Sequence, residues 1–347
     1  MFTEADLLNT RTIDIDKAVQ NKNAIWIDVR SSREYKKGNY THSINIELFN
    51  DIEYSKLGEV YKRSGKSESI KSGKKYIYNS LEQILEKISK FKKYTIYIYC
   101  ARGGLRSKAF FKILEIHGYK SFVILGGYKS VRNYVLSSFL KTRNIIIIGG
   151  NTGSKKTSIL KLMKKHKYNT IDLEKIANHR GSAFGDLGLM IQSTQQQFEN
   201  DLSYEWVNFD INSNVFVESE SRTIGKIVIP SPIYSQMINS HYIRINMNFD
   251  RRIKNLISEY GKYPLTHIEH RLKKISRKLG SENFNYAVKL LKNNDLYSFC
   301  SHILINYYDK MYKHSLNKRK TDITTFNIEN ESLEDIMYLI IEKSKNI

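Results

Sequence analysis

The chain has 347 residues, room for two ordinary cores, and its 41% hydrophobic and 26% charged residues are the proportions of a soluble globular protein. No run approaches the roughly 18 consecutive apolar residues of a membrane span, and the opening "MFTEADLLNT" lacks the basic-then-apolar layout of a secretory signal, so a cytoplasmic protein with no membrane partner is expected. Lysine and arginine number 56 against 35 acids, a formal charge of +21, which favours a polyanionic partner, nucleic acid ahead of compositional drift toward Lys, Ile, Asn and Tyr.

From residue 16 to about residue 134 short apolar strands alternate with helical segments. "AIWIDVR" (24–30), "YTIYIYC" (94–100) and "SFVILGGY" (121–128) read as strands; "SLEQILEKISKF" and "SKAFFKILEIHG" carry apolar residues at helical spacing, the second closing at Gly118. The pattern predicts an α/β unit with a largely parallel sheet.

The two cysteines cannot form a disulfide framework, and no Cys/His cluster has zinc-ligand spacing. One of them, Cys100, closes a β-prone run in "YIYCARGGLRS" (97–107). A strand that ends in Cys, then a short glycine turn and a helix, aims backbone N–H groups and a helix N-terminus at the sulfur. With Arg102 and Arg106 nearby, those features stabilise a thiolate and would hold an anionic group on the sulfur. Gly103 and Gly104 allow the turn to close tightly, and Ser107 opens the helix. A buried strand-end thiol beside a structural turn is the other reading, and the paired glycines and arginines weigh against it.

"SVRNYVLSSFLKTRN" (130–144) reads as a connecting helix, and a second α/β unit opens with "NIIIIGGNTGSKKTSILKLMKKH". Its loop "GNTGSKKT" (150–157) has the setting of a Walker A phosphate loop, G-x-x-x-x-G-K-S/T, which wraps backbone amides around phosphates. Gly150, Thr152, Gly153, Ser154, Lys156 and Thr157 suit that role. Lys155 stands where the second glycine belongs; if that position needs a positive φ, lysine costs about 1 kcal/mol or more, and its charge partly compensates.

Further strands are expected in "YNTIDLE", "NVFVESE", "KIVIP" and "HYIRINM", with a helix in "STQQQFENDLSYEWV". Asp172, Glu174, Glu218 and Glu220 are candidates for substrate or metal contacts, with a solvated strand end as the alternative for the last two. His179 and Arg180 in "ANHRGSAFG" suit a phosphate or RNA backbone or, equally, a capped loop, and Arg222 is a further candidate contact. After about residue 250 the pattern is helical and basic. Arg271, Lys273, Lys274, Arg277 and Lys278 make it a candidate nucleic-acid surface, with a solvated face as the alternative. His267 and His270 lack further metal ligands, and Cys300, in the apolar "LYSFCSHILI", reads as a buried structural thiol.

"CARGGLRS" resembles the active-site loop of the rhodanese family, in which the cysteine carries a transferable chalcogen as a persulfide. "IDVRSSREYKKGNYTHSIN" resembles that family's early strand and loop, with Thr41 and His42 where Pro-Gly is usual. The fusion of such a domain to a phosphate-loop domain resembles the tRNA 2-selenouridine synthase family. "LGGYKSVR", "IDLEKIANHRGSAFG", "QSTQQQFE", "VESESRTIGKIVIP" and "YYDKMY" extend the likeness from residue 28 to about residue 312.

The resemblance implies a rhodanese-like domain over 1–134, a connecting helix over 135–144, and a P-loop NTPase-like domain with a basic helical C-terminal region over 145–347. It also implies a transferase acting on tRNA that carries wobble 2-thiouridine. The sulfur is geranylated with geranyl diphosphate, and selenium from selenophosphate then replaces the S-geranyl group, with Cys100 as the selenium carrier. No permanently bound cofactor is expected, magnesium is a candidate ion, and the phosphate loop would take the prenyl diphosphate or a nucleotide. A rhodanese-type sulfurtransferase and a tRNA-binding protein with impaired catalysis are the rival readings.

Overall fold

The computed structural model describes residues 7, 9–189 and 191–347. The chain forms two compact units, one of Met1–Ser138 with Glu199–Tyr204, the other of Phe139–Phe198 with Glu205–Ile347. Among the described residues no helix is long and apolar enough to cross a membrane.

The first unit is built on a five-stranded parallel sheet in the order β1-β5-β4-β2-β3, with β1 Thr12–Ile13, β2 Ile25–Asp28, β3 Ile44–Asn45, β4 Ile96–Tyr99 and β5 Ser121–Ile124. β4 is central and all four of its residues are buried, which is why "IYIY" reads as a continuous apolar run rather than an alternation. Helix Leu105–Ile116 covers the sheet through Phe110, Phe111, Ile113 and Leu114. The connecting helix spans Gly127–Ser138, starting earlier and ending earlier than the sequence pattern predicts.

A helical span over Asp51–Ile88 goes beyond the predicted 80–91. Asn50 caps it, accepting from the Ile52 and Glu53 amides, and Gly65, at φ 81° and ψ −178°, divides it into two stretches. Its buried residues are sparse, Leu57, Gly73, Ile77, Ile84 and Ile88, so most of its length shows no apolar stripe.

The second unit carries another all-parallel sheet, β12-β11-β6-β8-β7. Its strands are β6 Ile145–Gly150, β7 Thr170–Ile171, β8 Val215–Glu218, β11 His241–Met247 and β12 Ile323–Ile328; β9 Thr223–Ile224 and β10 Ile227–Val228 form a separate hairpin. β6 is central and wholly buried. Helices between Phe249 and Asn317 pack around Phe184, Ile268, Leu272, Leu291, Phe299 and Ile303.

The region beyond residue 250 is helical, as the pattern predicts, with one strand that the pattern does not show, β12. This edge strand pairs with β11 from Tyr242↔Ile323 to Met247↔Ile328, and helix Leu333–Ser344 follows it. "ITTFNI" alternates in burial, a one-sided edge pattern that short polar β-branched residues make faint. In each unit the loop singled out by sequence follows the central strand, where open α/β sheets form their crevice.

Candidate active site

β4 delivers Cys100 to the carboxyl end of its sheet, with the side chain 4% exposed. Ser107, in the first turn of the following helix, places Oγ 3.3 Å from Cys100 Sγ and donates to the Gly104 carbonyl at 3.1 Å. Gly103 has φ +65°, and a Cβ there would sit 2.9 Å from the Ile124 carbonyl oxygen, so only glycine closes this turn. At Gly104 a Cβ would meet nothing within 4 Å; of the two glycines, the packing requires the first. The turn is tied to the "GGY" segment by Tyr128 N–H donating to Cys100 O at 2.8 Å and Lys129 N–H donating to Ala101 O at 3.1 Å.

The two arginines of the loop part company. Arg102 is exposed. Arg106 forms a two-pronged pair with Glu34, at 2.6 and 3.1 Å, and lies 4.3 Å over the Tyr54 ring. Burial pulls the Arg106 pKa down, but the hydrogen bond to Glu34, the Glu34 charge and the nearby Cys100 sulfur together raise it. Arg106 is therefore a fixed cation in electrostatic reach of the thiol rather than one free to swing on to it. Glu34 was not among the residues picked out by sequence; its one local signal is the Ser31 to Glu34 capping box.

In the second unit the phosphate loop leaves β6 at Gly150 and enters helix Lys156–Lys165 through Lys155, at φ 59° and ψ 25°. The position where a glycine belongs does take a left-handed conformation, and lysine bears a cost of roughly 1–2 kcal/mol there. Gly153 has φ +88°, and a Cβ would lie 2.8 Å from the Arg252 carbonyl oxygen. Lys156 Nζ donates to Gly150 O at 3.0 Å.

Thr157 Oγ1 lies 2.9 Å from Glu218 Oε1 and 3.3 Å from Glu174 Oε2. Register puts Glu218 there, since it pairs with Ile148 on β6. Carboxylate oxygens of Glu174, Glu218 and Glu220 lie within 4.8 Å of one another. Burial, reinforced by the neighbouring Glu218 charge, pushes Glu174 up to about 10 and Glu220 up to about 8. Burial also lifts Glu218, 2% exposed, to about 7 against the pull of Lys156. Glu218 Oε2, Asp172 Oδ2 and Ser154 Oγ are buried without a hydrogen-bond partner. Hard oxygen donors crowded until they resist ionising, with one oxygen left unmatched, suit a divalent cation such as magnesium.

Two family models match the chain. Residues 13–134 match the rhodanese-like domain, and residues 143–342 match the tRNA 2-selenouridine synthase AAA domain. The chain belongs to the tRNA 2-selenouridine synthase family. It is 29% identical over 326 residues to the tRNA 2-selenouridine synthase of Psychromonas ingrahamii, covering 84% of this chain and 88% of that one. It is 30% identical over 347 residues to that of Proteus mirabilis, covering 89% and 93%, and 28% identical over 347 residues to that of a Sulfurovum species, covering 88% and 93%.

In this family member the phosphate loop is braced from behind by residues that sequence reasoning missed. Arg252, 5% exposed, donates from Nε to Thr152 O at 2.9 Å and pairs with Asp309 at 2.6 and 3.1 Å. Asp309 also accepts from Asn151 Nδ2 at 2.8 Å, and Asn255 Nδ2 donates to Gly153 O at 2.9 Å. Asp309 lies in the quoted "YYDKMY", so that motif was the available signal. In the thiol unit His42, standing where the rhodanese family has glycine, holds φ 66°, a left-handed conformation that histidine tolerates better than most residues.

The remaining predicted residues divide. The "HRGS" turn packs on the acids, since a Cβ at Gly181 would meet Glu220 Oε2 at 2.5 Å, and His179 Nδ1 accepts from the Gly181 amide at 3.1 Å. Arg180 turns away to Glu259 at 3.3 Å and to the Leu187 carbonyl at 2.8 Å, and Arg222 to Ser231 Oγ at 2.9 Å. Asp172 caps its helix through Lys175 N–H at 2.8 Å. Of the basic set, Arg271 and Lys274 clamp Asp186 at 2.9 and 3.0 Å. Burial raises the Asp186 pKa, but these two cations overcome it and hold the group at about 2. Lys273, Arg277 and Lys278 are exposed. Burial pushes the Cys300 thiol up to about 12.

Proposed function

We propose that this chain converts wobble 2-thiouridine of tRNA to 2-selenouridine through an S-geranyl intermediate. The observation that carries the reading is the conjunction, on one chain of this family, of a buried thiol on a glycine turn and a phosphate loop backed by three carboxylates. The formal charge of +21 suits the RNA substrate.

In the first step the thiocarbonyl sulfur attacks C1 of geranyl diphosphate; the C–S bond forms, the C–O bond breaks, and the electron pair leaves on diphosphate. Amides of residues 150–157 and the charges of Lys155 and Lys156 receive that diphosphate. Glu174, Glu218, Glu220 and Thr157 are the residues that would hold a magnesium ion, which supplies neutralising charge to the leaving group.

In the second step the Cys100 thiolate attacks the selenium of selenophosphate; the S–Se bond forms as the Se–P bond breaks, and the electron pair leaves on phosphorus as phosphite, so that selenium is oxidised and phosphorus reduced. The C2–Se bond forms at the base as the C2–S bond breaks, and geranylthiol departs with the electron pair. An external thiol then cleaves the S–Se bond and is oxidised in doing so. Ser107 and the Gly103 turn orient the sulfur, and Arg106, fixed by Glu34, sets a positive charge near it.

The test is donor choice. Purified protein given 2-thiouridine tRNA, geranyl diphosphate and a thiol should form 2-selenouridine with selenophosphate and no selenated or newly thiolated base with thiosulfate. Turnover with thiosulfate and indifference to selenophosphate would establish the rhodanese-type sulfurtransferase instead.

A further inference from the structure

The fold takes apart the basic run between Arg271 and Lys278, committing Arg271 and Lys274 to Asp186, and assembles another. From Lys310 to Thr321 the chain carries Lys310, Lys313, His314, Lys318, Arg319 and Lys320 and no acid. On helix Asp309–Asn317, Lys310, Lys313, His314 and Asn317 fall at i, i+3, i+4 and i+7, one helical face, and all four are exposed. Tyr312 and Leu316, on the opposite side, are half-buried. Lys318 and Lys320, just past the helix, continue the exposed stripe. Among the described residues none of these lysines pairs with an acidic side chain. The dipole of a helix favours cations at its C-terminus, which accounts for Lys318 but not for Lys310 and Lys313 farther up.

The stripe ends in a half-buried cluster of the same sign. Arg319 lies 4.3 Å over the Tyr242 ring, Arg244 lies 5.8 Å from the centre of the Tyr312 ring, and the two tyrosine hydroxyls are 3.2 Å apart. Neither arginine has an acidic partner among the described residues. Arg244 Nε and Thr321 Oγ1 are buried without a hydrogen-bond partner. Two guanidinium groups gathered round one tyrosine pair, with donors to spare and no carboxylate to neutralise them, suit an anion with several acceptor oxygens, and their planar forks match a phosphate.

Both parts are fastened to the phosphate loop. Asp309, which opens the helix, accepts from Asn151 and pairs with Arg252. Arg244 is in register with Gly149, the residue before the loop's first glycine, and a Cβ at Gly149 would collide with the Tyr242 hydroxyl. A polyanion lying along the stripe is thereby held beside the loop.

We infer that this face, Lys310 to Lys320 with Arg244, binds backbone phosphates of the tRNA substrate. The exposed lysines act as point charges, and Arg244 with Arg319 forms the fork that seats one phosphate. The inference rests on the reading of the chain as a tRNA-modifying enzyme, and it supplies the surface that holds the RNA, which a formal charge of +21 does not by itself locate.

The experiment is fluorescence anisotropy of labelled 2-thiouridine tRNA with the full chain over a range of salt. Wild type is compared with Lys310→Ala/Lys313→Ala/Lys318→Ala and with the charge-matched Lys273→Ala/Arg277→Ala/Lys278→Ala. The first triple variant should bind at least about tenfold more weakly than wild type, with the slope of log K against log salt reduced by about two to three, one for each lost phosphate contact. The second should stay within about twofold, because charge away from the contact is screened. Affinity for inorganic pyrophosphate, which reads the phosphate loop, should be unchanged in the first variant, and that result also shows that it is folded. Arg244→Lys/Arg319→Lys, which keeps both charges but loses the fork, should weaken tRNA binding with little change in slope.

Equal tRNA affinity and equal salt slope in wild type and the first triple variant overturn this surface and leave the tRNA reading standing. So does a loss of binding confined to the second triple variant, which returns the contact to the 273–278 segment. Failure of wild type to bind tRNA at low salt overturns the underlying reading itself.

Discussion

Cys100→Ser should abolish 2-selenouridine formation and leave S-geranyl-2-thiouridine formation within about twofold of wild type, since serine cannot carry selenium and nothing in the phosphate loop depends on the sulfur. The substitution is close to isosteric in a site where the Ser107 hydroxyl already lies 3.3 Å from the sulfur, so the fold is retained. Lys156→Ala should give the converse. Geranylation should fall by about two to three orders of magnitude, the usual loss when one charge-stabilising group is removed, while tRNA supplied already geranylated is still selenated. Nucleoside mass spectrometry of both variants checks the pair. Loss of both products from Cys100→Ser, at unchanged thermal stability, would mean that one centre performs both steps.

The carboxylate cluster should make the ion-free protein less stable as pH rises. Glu218, Glu220 and Glu174 have folded pKa values of about 7, about 8 and about 10, above the unfolded value, so between about pH 4.5 and those values the folded state holds more protons than the unfolded one. Stability is therefore fully present below the unfolded pKa and is lost as pH rises through the folded values.

A divalent cation bound by the deprotonated cluster opposes the loss. Thermal melts at pH 6 and pH 8.5 should therefore show a lower Tm at the higher pH, magnesium raising it at pH 8.5 and doing little at pH 6. Glu218→Gln should be more stable than wild type at pH 8.5 without magnesium, and should gain less from it. A magnesium effect equal at the two pH values would count against the site.

The parts of this arrangement legible in the sequence are those carried by local punctuation. A buried strand, a glycine turn and a helix follow one another within a dozen residues at Cys100 and again at Gly150, and each register is set by neighbours in the chain. What escaped is what long-range contact creates. Glu34 meets Arg106 across 72 positions, and Arg252 reaches Thr152 across 100; each looks like an ordinary helix-surface charge until the fold buries it. β12 was missed because an edge strand needs only half its residues apolar, and most of the helical span before Ile88 because its buried positions are few. Lys155 is the mixed case: its departure from the glycine pattern is visible in sequence, while the left-handed conformation it must adopt is a property of the folded loop.

In the proposed reaction selenation passes through an S-geranyl base. Its most direct test is a two-stage reaction. Purified protein, 2-thiouridine tRNA and geranyl diphosphate are incubated with magnesium, the tRNA is repurified, and fresh protein with selenophosphate and thiol is added, with nucleosides analysed by mass after each stage. S-geranyl-2-thiouridine should be present after the first stage and should be converted to 2-selenouridine, with release of geranylthiol, in the second. Formation of 2-selenouridine from 2-thiouridine tRNA that has never met geranyl diphosphate would contradict the proposed route.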